Sequence, residues 1–261
     1  MAGNYAGQLF LLYNRGSATE PHIHMPYDRN TLVTPTHTEG LLWCNYLAPF
    51  LYDWSGTGRL DLVMGDGSYS ANSIYLFTNQ GDNQRPVYNE RQMTKLIAGL
   101  GREHLTPAVV DWNHDGKPDI LAGERTGCVD LYLNHAASAS SPPVFDEDHP
   151  QRVSFNGVDK IGALSTVCAA DLNGDKLFDL LVGTPDGRIL YSLNTGTGDA
   201  PKFGPLVPLK GVNPYPKIVK PMHWKSTAFS PMARLTRCSN APTRRSKRAS
   251  RRRRISTEPA R

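Results

Sequence analysis

In the nine-residue stretch Asp111-Trp-Asn-His-Asp-Gly-Lys-Pro-Asp119, oxygen-bearing side chains stand at the first, third, fifth and ninth positions and glycine at the sixth. Hard cations take six to eight oxygen ligands, and alternate carboxylates can curl around one point where a glycine permits the sharp turn. That is the spacing of a calcium loop, with Asp111, Asn113, Asp115 and Asp119 as side-chain ligands and Lys117 supplying its carbonyl. Asp53-Trp-Ser-Gly-Thr-Gly-Arg-Leu-Asp61 lies 58 residues earlier, and Asp171-Leu-Asn-Gly-Asp-Lys-Leu-Phe-Asp179 lies 60 later. One copy alone reads equally well as a hydrogen-bonded turn without metal. Three copies at nearly constant spacing are a repeat.

The copies differ in their donors. The second is complete. The third keeps Asp171, Asn173, Asp175 and Asp179, but Lys176 replaces the turn glycine and Gly174 stands at the fourth position. If the sixth residue must be left-handed, lysine there costs about 1 kcal/mol, so a weaker site is expected. The first offers two carboxylates, Asp53 and Asp61, with Ser55 and Thr57, and is expected to be the weakest.

The loops must be held by something, and their neighbours repeat with them. Each loop follows a short apolar run (Pro49–Tyr52, Pro107–Val110, Val167–Ala170) and precedes another (Leu60–Gly65, Pro118–Gly123, Phe178–Gly183). A third run follows, Ile74–Asn79, Val129–Asn134 and Ile189–Asn194, and then a proline-led piece, Pro86–Tyr88, Pro143–Phe145 and Pro201–Phe203. Runs of this length between Gly, Asn, Asp and Pro are strands and turns. Four short strands in a unit of this size are the content of one β-propeller blade.

The Asp-x-Asn-x-Asp-Gly-x-x-Asp loop, the glycine after it and the Leu-Tyr-x-Asn strand resemble FG-GAP/VCBS repeats, the calcium-bearing propeller blades also found in integrin α-chain heads. The resemblance covers about residues 7–212. It implies an all-β fold of four-stranded antiparallel blades with Ca²⁺ as cofactor. It says little about function, because propellers host many unrelated activities.

The opening Gly7-Gln-Leu-Phe-Leu-Leu-Tyr-Asn14 reads as the third strand of a blade whose calcium loop is missing. The expectation is therefore an incomplete ring of about 3 to 3.5 blades, part of a longer protein, with open blade faces that favour self-association. No stretch approaches the roughly 20 apolar residues of a membrane span, and no signal peptide is visible at the N-terminus. The family resemblance implies an extracellular or periplasmic setting all the same.

Charge divides the chain into two domains. Residues 1–212 carry 15 Lys and Arg against 23 Asp and Glu, whereas residues 213–261 carry 14 against one. The first is the propeller portion. The second, ending in Arg244-Arg-Ser-Lys-Arg-Ala-Ser-Arg-Arg-Arg-Arg254, is a Pro- and Arg-rich basic tail expected to be disordered. Cys44, Cys128, Cys168 and Cys238 fall at non-equivalent repeat positions and form no CxxC; a domain with this much core needs no disulfide framework, and Cys168 in an apolar strand reads as a buried free thiol. His22, His24 and His37 match no zinc spacing. Trp43, Tyr46 and Tyr52 read as propeller core.

No phosphate loop, nucleophile elbow or His-Glu-x-x-His pair is present. Arg102, Glu103 and His104 stand where the third repeat has Gly162-Ala-Leu164, so the fold does not demand them and they form a candidate ligand-binding loop. The function expected is a calcium-stabilised binding or adhesion module of an exported protein, recognising carbohydrate or protein. A propeller-borne polysaccharide lyase or hydrolase is the alternative, and nucleic-acid binding through the tail a third reading.

Overall fold

The computed structural model describes residues 1–3, 9–10, 12–17, 19–24, 46–67, 72–89, 92–98 and 101–209. His37, Trp43 and the basic tail lie outside them. The described residues form strands and no α-helix. Two short antiparallel pairs open the chain: β1 (Ala2–Gly3) with β2 (Leu9–Phe10), and β3 (Tyr13–Asn14) with β4 (Ile23–His24).

Three four-stranded antiparallel sheets follow. The first comprises β5 (Ala48–Tyr52), β6 (Asp61–Gly65), β7 (Ser73–Phe77) and β8 (Thr94–Ala98). The second comprises β9 (Thr106–Val110), β10 (Asp119–Gly123), β11 (Val129–Tyr132) and β12 (Gln151–Arg152). The third comprises β13 (Thr166–Ala170), β14 (Asp179–Gly183), β15 (Ile189–Ser192) and β16 (Val207–Pro208). Each is a simple meander in which spatial order follows chain order. In each, the loop joins the first strand to the second, and the residue just before it pairs with the loop's ninth: Tyr52 with Asp61, Val110 with Asp119, Ala170 with Asp179.

The second strands are apolar at successive positions; β6 and β10 are buried on both faces, so their alternate side chains enter different layers, whereas β14 is fully buried on one face only. Leu62 and Met64 pack with Leu9, Leu47 and Phe77, whereas Val63 joins Leu105, Val109 and Ile120 between the first and second sheets. Ile120 and Ala122 lie in that same layer, while Leu121 turns the other way to meet Val167, Leu180 and Val182 of the third sheet. The sheets thus stack face on face like consecutive blades.

The half-blade expected at the start is visible in one side chain. Asn14 Oδ1 accepts the N–H groups of Gly16 and His22, both at 2.9 Å. Asn79, at the end of the first sheet's third strand, does the same for Gly81 (2.9 Å) and Val87 (3.0 Å).

The cysteines correct the sequence reading twice. Cys168 is free but exposed, because Val167 beside it faces the second sheet and Cys168 faces away, where the described residues place no further layer. Cys128 is fully buried and disulfide-bonded. A maleimide reagent applied to the native protein is therefore expected to label Cys168, located by peptide mass mapping, and Cys168→Ser to lose that label. A Cys168 that reacts only after unfolding would mean that its sheet face is covered.

Candidate metal centre

Each loop is wound by its own carboxylates. The first-position aspartate accepts backbone N–H groups from the far side of the turn. Asp53 takes Thr57 (2.9 Å) and Gly58 (2.8 Å), Asp111 takes Asp115 (2.9 Å) and Gly116 (3.0 Å), and Asp171 takes Gly174 (2.7 Å) and Lys176 (3.0 Å). Desolvation nudges the pKa of Asp171 upward, but the N–H groups around it outweigh this and hold it below the usual carboxylate range.

The ninth-position aspartates do a different job. Asp61, Asp119 and Asp179 are almost wholly buried. Oδ1 of each accepts the N–H of the asparagine ending the third strand: Asn79 at 2.8 Å, Asn134 at 2.7 Å, Asn194 at 2.7 Å. Oδ2 accepts an N–H near the loop's start, from Ser55 (3.0 Å), Trp112 (2.8 Å) or Leu172 (2.9 Å). Each asparagine passes the connection outward through its own Oδ1, which accepts two N–H groups of the following turn, Ala136 (3.1 Å) and Val144 (3.0 Å) in the second sheet. In the sequence these asparagines stand out only as the last letter of a repeated strand.

The second position points across to the next blade. Trp54 packs edge-on to Phe145 at 6.5 Å, and Trp112 lies 5.8 Å from Phe178 and 6.2 Å from Phe203. Leu172, the third-loop equivalent, is exposed.

Left-handed backbone recurs at two loop positions, where sequence reasoning anticipated one. The fourth residues Gly56, His114 and Gly174 have φ of 63°, 58° and 81°, and the sixth residues Gly58, Gly116 and Lys176 have 77°, 81° and 70°. Lys176 thus adopts the conformation expected to penalise it.

The second and third loops carry the oxygen donor types that a hard cation takes. Asp111, Asn113 and Asp115, with buried Asp119, line the second loop, and the Lys117 ammonium stands 2.9 Å from Asp115 Oδ2, a cation already drawn to that oxygen. Slight desolvation raises the Asp115 pKa, but hydrogen bonds from Lys117 and Asn113 bring it below the usual range. Asp171, Asn173, Asp175 and Asp179 repeat the set, with Asn173 Nδ2 2.8 Å from Asp175 Oδ2. In the first loop the Ser55 hydroxyl donates to Asp61 Oδ2 at 2.6 Å, and Thr57 adds only a hydroxyl. Among the described residues no three His, Cys, Asp or Glu side chains converge on one point.

The trio before β9 lies at the opposite end of that strand, about 17 Å from the loops at ~3.3 Å per residue. Arg102 Nε donates to buried Asp130 at 2.9 Å, with Arg152 Nε 2.7 Å from the other oxygen of the same carboxylate. Glu103 pairs with Arg125, and this pair is partly exposed. His104 is buried edge-on against Tyr46, ring centroids 4.2 Å apart. Tyr46, His104 and Leu164 are equivalent residues of the three repeats and share a left-handed backbone, φ 59°, 55° and 57°. The loop therefore has a structural duty, and the Glu103–Arg125 pair is its solvent-facing part. A cleft of about 610 Å³ also opens between β12 and the 199–203 segment, lined by Gln151, Arg152, Asn156, Asp199 and Lys202 among others.

Residues 53–122 match the FG-GAP-like repeat family, and residues 163–200 match the FG-GAP repeat. The first match begins at the Asp53 loop and ends in β10; the second begins just before β13 and ends beyond Asn194. The chain carries FG-GAP repeats. Integrin alpha-4 of Xenopus laevis is 49% identical over 155 residues, which is 52% of this chain and 13% of that relative. The chain thus spans a small part of that relative's length. No solved structure matches. The three meanders are FG-GAP propeller blades, as the repeated loops and strands implied.

Burial of an FG-GAP aspartate has a measurable sign. In the metal-free protein burial pushes Asp119 up to about 6; the Asn134 and Trp112 N–H groups work against this, and Asp115 and Asp111 add to it. The folded state then holds the proton more tightly than the unfolded chain, so this contribution to stability is present at low pH and is lost as pH rises from the ordinary 3.8 through about 6. His104, lowered by burial and then by Arg125, has the opposite sign, so a difference between variants is the clean measurement. In chelator, Asp119→Asn is expected to gain stability relative to wild type as pH rises through that window, on top of a constant penalty for the acceptor it loses. A pH-independent difference in melting temperature would contradict this.

Proposed function

We propose that this chain is a calcium-stabilised β-propeller module of an exported adhesion protein that binds a protein or carbohydrate partner. The observation carrying the calcium reading is the triple recurrence of an oxygen-rich loop with one hydrogen-bonding scheme, complete in the second blade. Asp111, Asn113, Asp115, Asp119 and the Lys117 carbonyl would hold the ion there, and Asp171, Asn173, Asp175 and Asp179 in the third blade. A bound divalent ion supplies positive charge to carboxylates that otherwise repel one another across a short loop. The protein's part is to pre-wind the loop, through the backbone bonds to Asp111 and Asp171, so that little chain entropy remains to be lost on binding.

Two features support the adhesive, exported reading. The similarity to an integrin α chain points to a module that meets other proteins. The Cys128 disulfide suits an oxidising compartment. Ligand contact falls on the blade end away from the cation loops, where Glu103 and Arg125 are partly exposed, or in the polar cleft beside β12. Self-association would run through the outward face of the third sheet, where Cys168 is exposed.

Chelation is expected to lower the melting temperature and added Ca²⁺ to restore it. Binding to the folded form alone stabilises by RT ln(1 + [L]/Kd), about 2.7 kcal/mol at 100-fold excess over Kd. Asp115→Ala removes a carboxylate from the complete site and should shrink this response more than Thr57→Ala, which removes one hydroxyl from the poorest. A melting curve indifferent to chelator would overturn the calcium reading.

A further inference from the structure

Two residues depart from glycine at the left-handed loop positions, and they touch each other. His114 holds the fourth position of the second loop, where the other loops have Gly56 and Gly174. Lys176 holds the sixth position of the third loop, where the others have Gly58 and Gly116. His114 Nε2 lies 2.8 Å from the Lys176 carbonyl oxygen. A carbonyl only accepts, so Nε2 carries the proton and the tautomer is settled by the contact. The imidazole also stacks on Phe178, centroids 5.4 Å apart and planes 29° apart, so the third blade grips the ring on two sides.

The peptide unit that His114 holds has a second function. Its other end is the N–H of Leu177, which donates to Asp175 Oδ1 at 2.8 Å. One rigid plane thus links the histidine of the second loop to a carboxylate of the third. His114 is itself flanked by Asn113 and Asp115, so whatever orders the second loop also orders the hydrogen-bond donor to the third.

We infer that His114 is a positioning residue for the cation site of the neighbouring blade: it fixes the Lys176 peptide, offsets the cost of a left-handed lysine, and couples the second loop's occupancy to the third loop's affinity. This rests on the calcium reading above and adds to it that the two loops do not bind independently. The geometry explains how a loop lacking its turn glycine keeps the turn. It also assigns a reason for a histidine where the other two repeats have glycine.

His114→Gly is the informative variant, because glycine is the native residue at this position in the other two loops and suits the φ of 58°. In the full-length chain, calcium titration followed by the amide resonances of residues 113–117 and 173–177 reads the two loops separately. His114→Gly is expected to weaken third-loop binding about fivefold, the scale of one net hydrogen bond, while second-loop affinity stays within about twofold. Asp115→Ala, which disables the second loop, is expected to weaken the third as well, and Asp175→Ala to weaken the second, since coupling between two binding sites runs in both directions. His114→Asn, which tolerates the left-handed backbone but is too short to reach Lys176, should repeat the glycine result and guards against misfolding of one variant. Wild-type protein that binds calcium in both loops, with third-loop affinity unchanged in both His114 variants, overturns the inference alone. Wild-type amides indifferent to calcium overturn the calcium reading and this inference with it.

Discussion

A carboxylate buried at the ninth position of each loop is the constraint on which the blades depend. Asp61, Asp119 and Asp179 are nearly inaccessible to water, and an isolated charge in such a place is unaffordable unless it is hydrogen-bonded. Two backbone N–H groups meet it in every blade, one from the start of the loop and one from the asparagine ending the third strand. Satisfying that one group therefore sets three things at once: how tightly the loop closes, how the second strand pairs with the first, and where the third strand ends. The asparagine carries the effect outward to the fourth-strand segment. A blade is in this sense built around an anion, and a cation is the natural complement to it.

Packing between blades follows from the same loop. Its ninth residue is turned inward, so its second residue is thrown outward over the seam, where Trp54 meets Phe145 and Trp112 meets Phe178 and Phe203. The fourth residue lies on that seam as well, which is how His114 comes within reach of Lys176. Loops placed along a seam in this way touch one another, as His114 and Lys176 do. The end of the blade away from the loops keeps a different composition, with charged pairs such as Glu103–Arg125 and buried Asp130 clamped between two arginines.

Much of this was legible from residue types and spacing. The all-β class, the three four-stranded units, the half-blade marked by Asn14 and the identity of the loop residues all follow from repeat punctuation, because turn residues and apolar runs respond to local rules. Lys176 is legible as a left-handed misfit from its position alone, and its φ is 70°. Less legible was anything that depends on what lies across a seam. Cys168 sits in an apolar run and reads as core, yet it faces outward because orientation in a strand depends on which neighbour is present. His114 reads as a loop histidine until the next blade's Lys176 and Phe178 are placed against it. Arg102 and His104 look free for a ligand in one dimension and prove to be engaged with Asp130 and Tyr46 in three.

Amide hydrogen exchange at Asn79, Asn134 and Asn194 tests the central claim most directly. These N–H groups follow the third strands and are bonded only to a side chain, a location where exchange is ordinarily fast. If the buried aspartates organise the blades, the three amides should exchange as slowly as those in the middle of β6, β10 and β14, opening only with the blade itself. Exchange at the rate of exposed turn amides would show that the aspartate–asparagine link opens freely, and the account of the blade would fail with it.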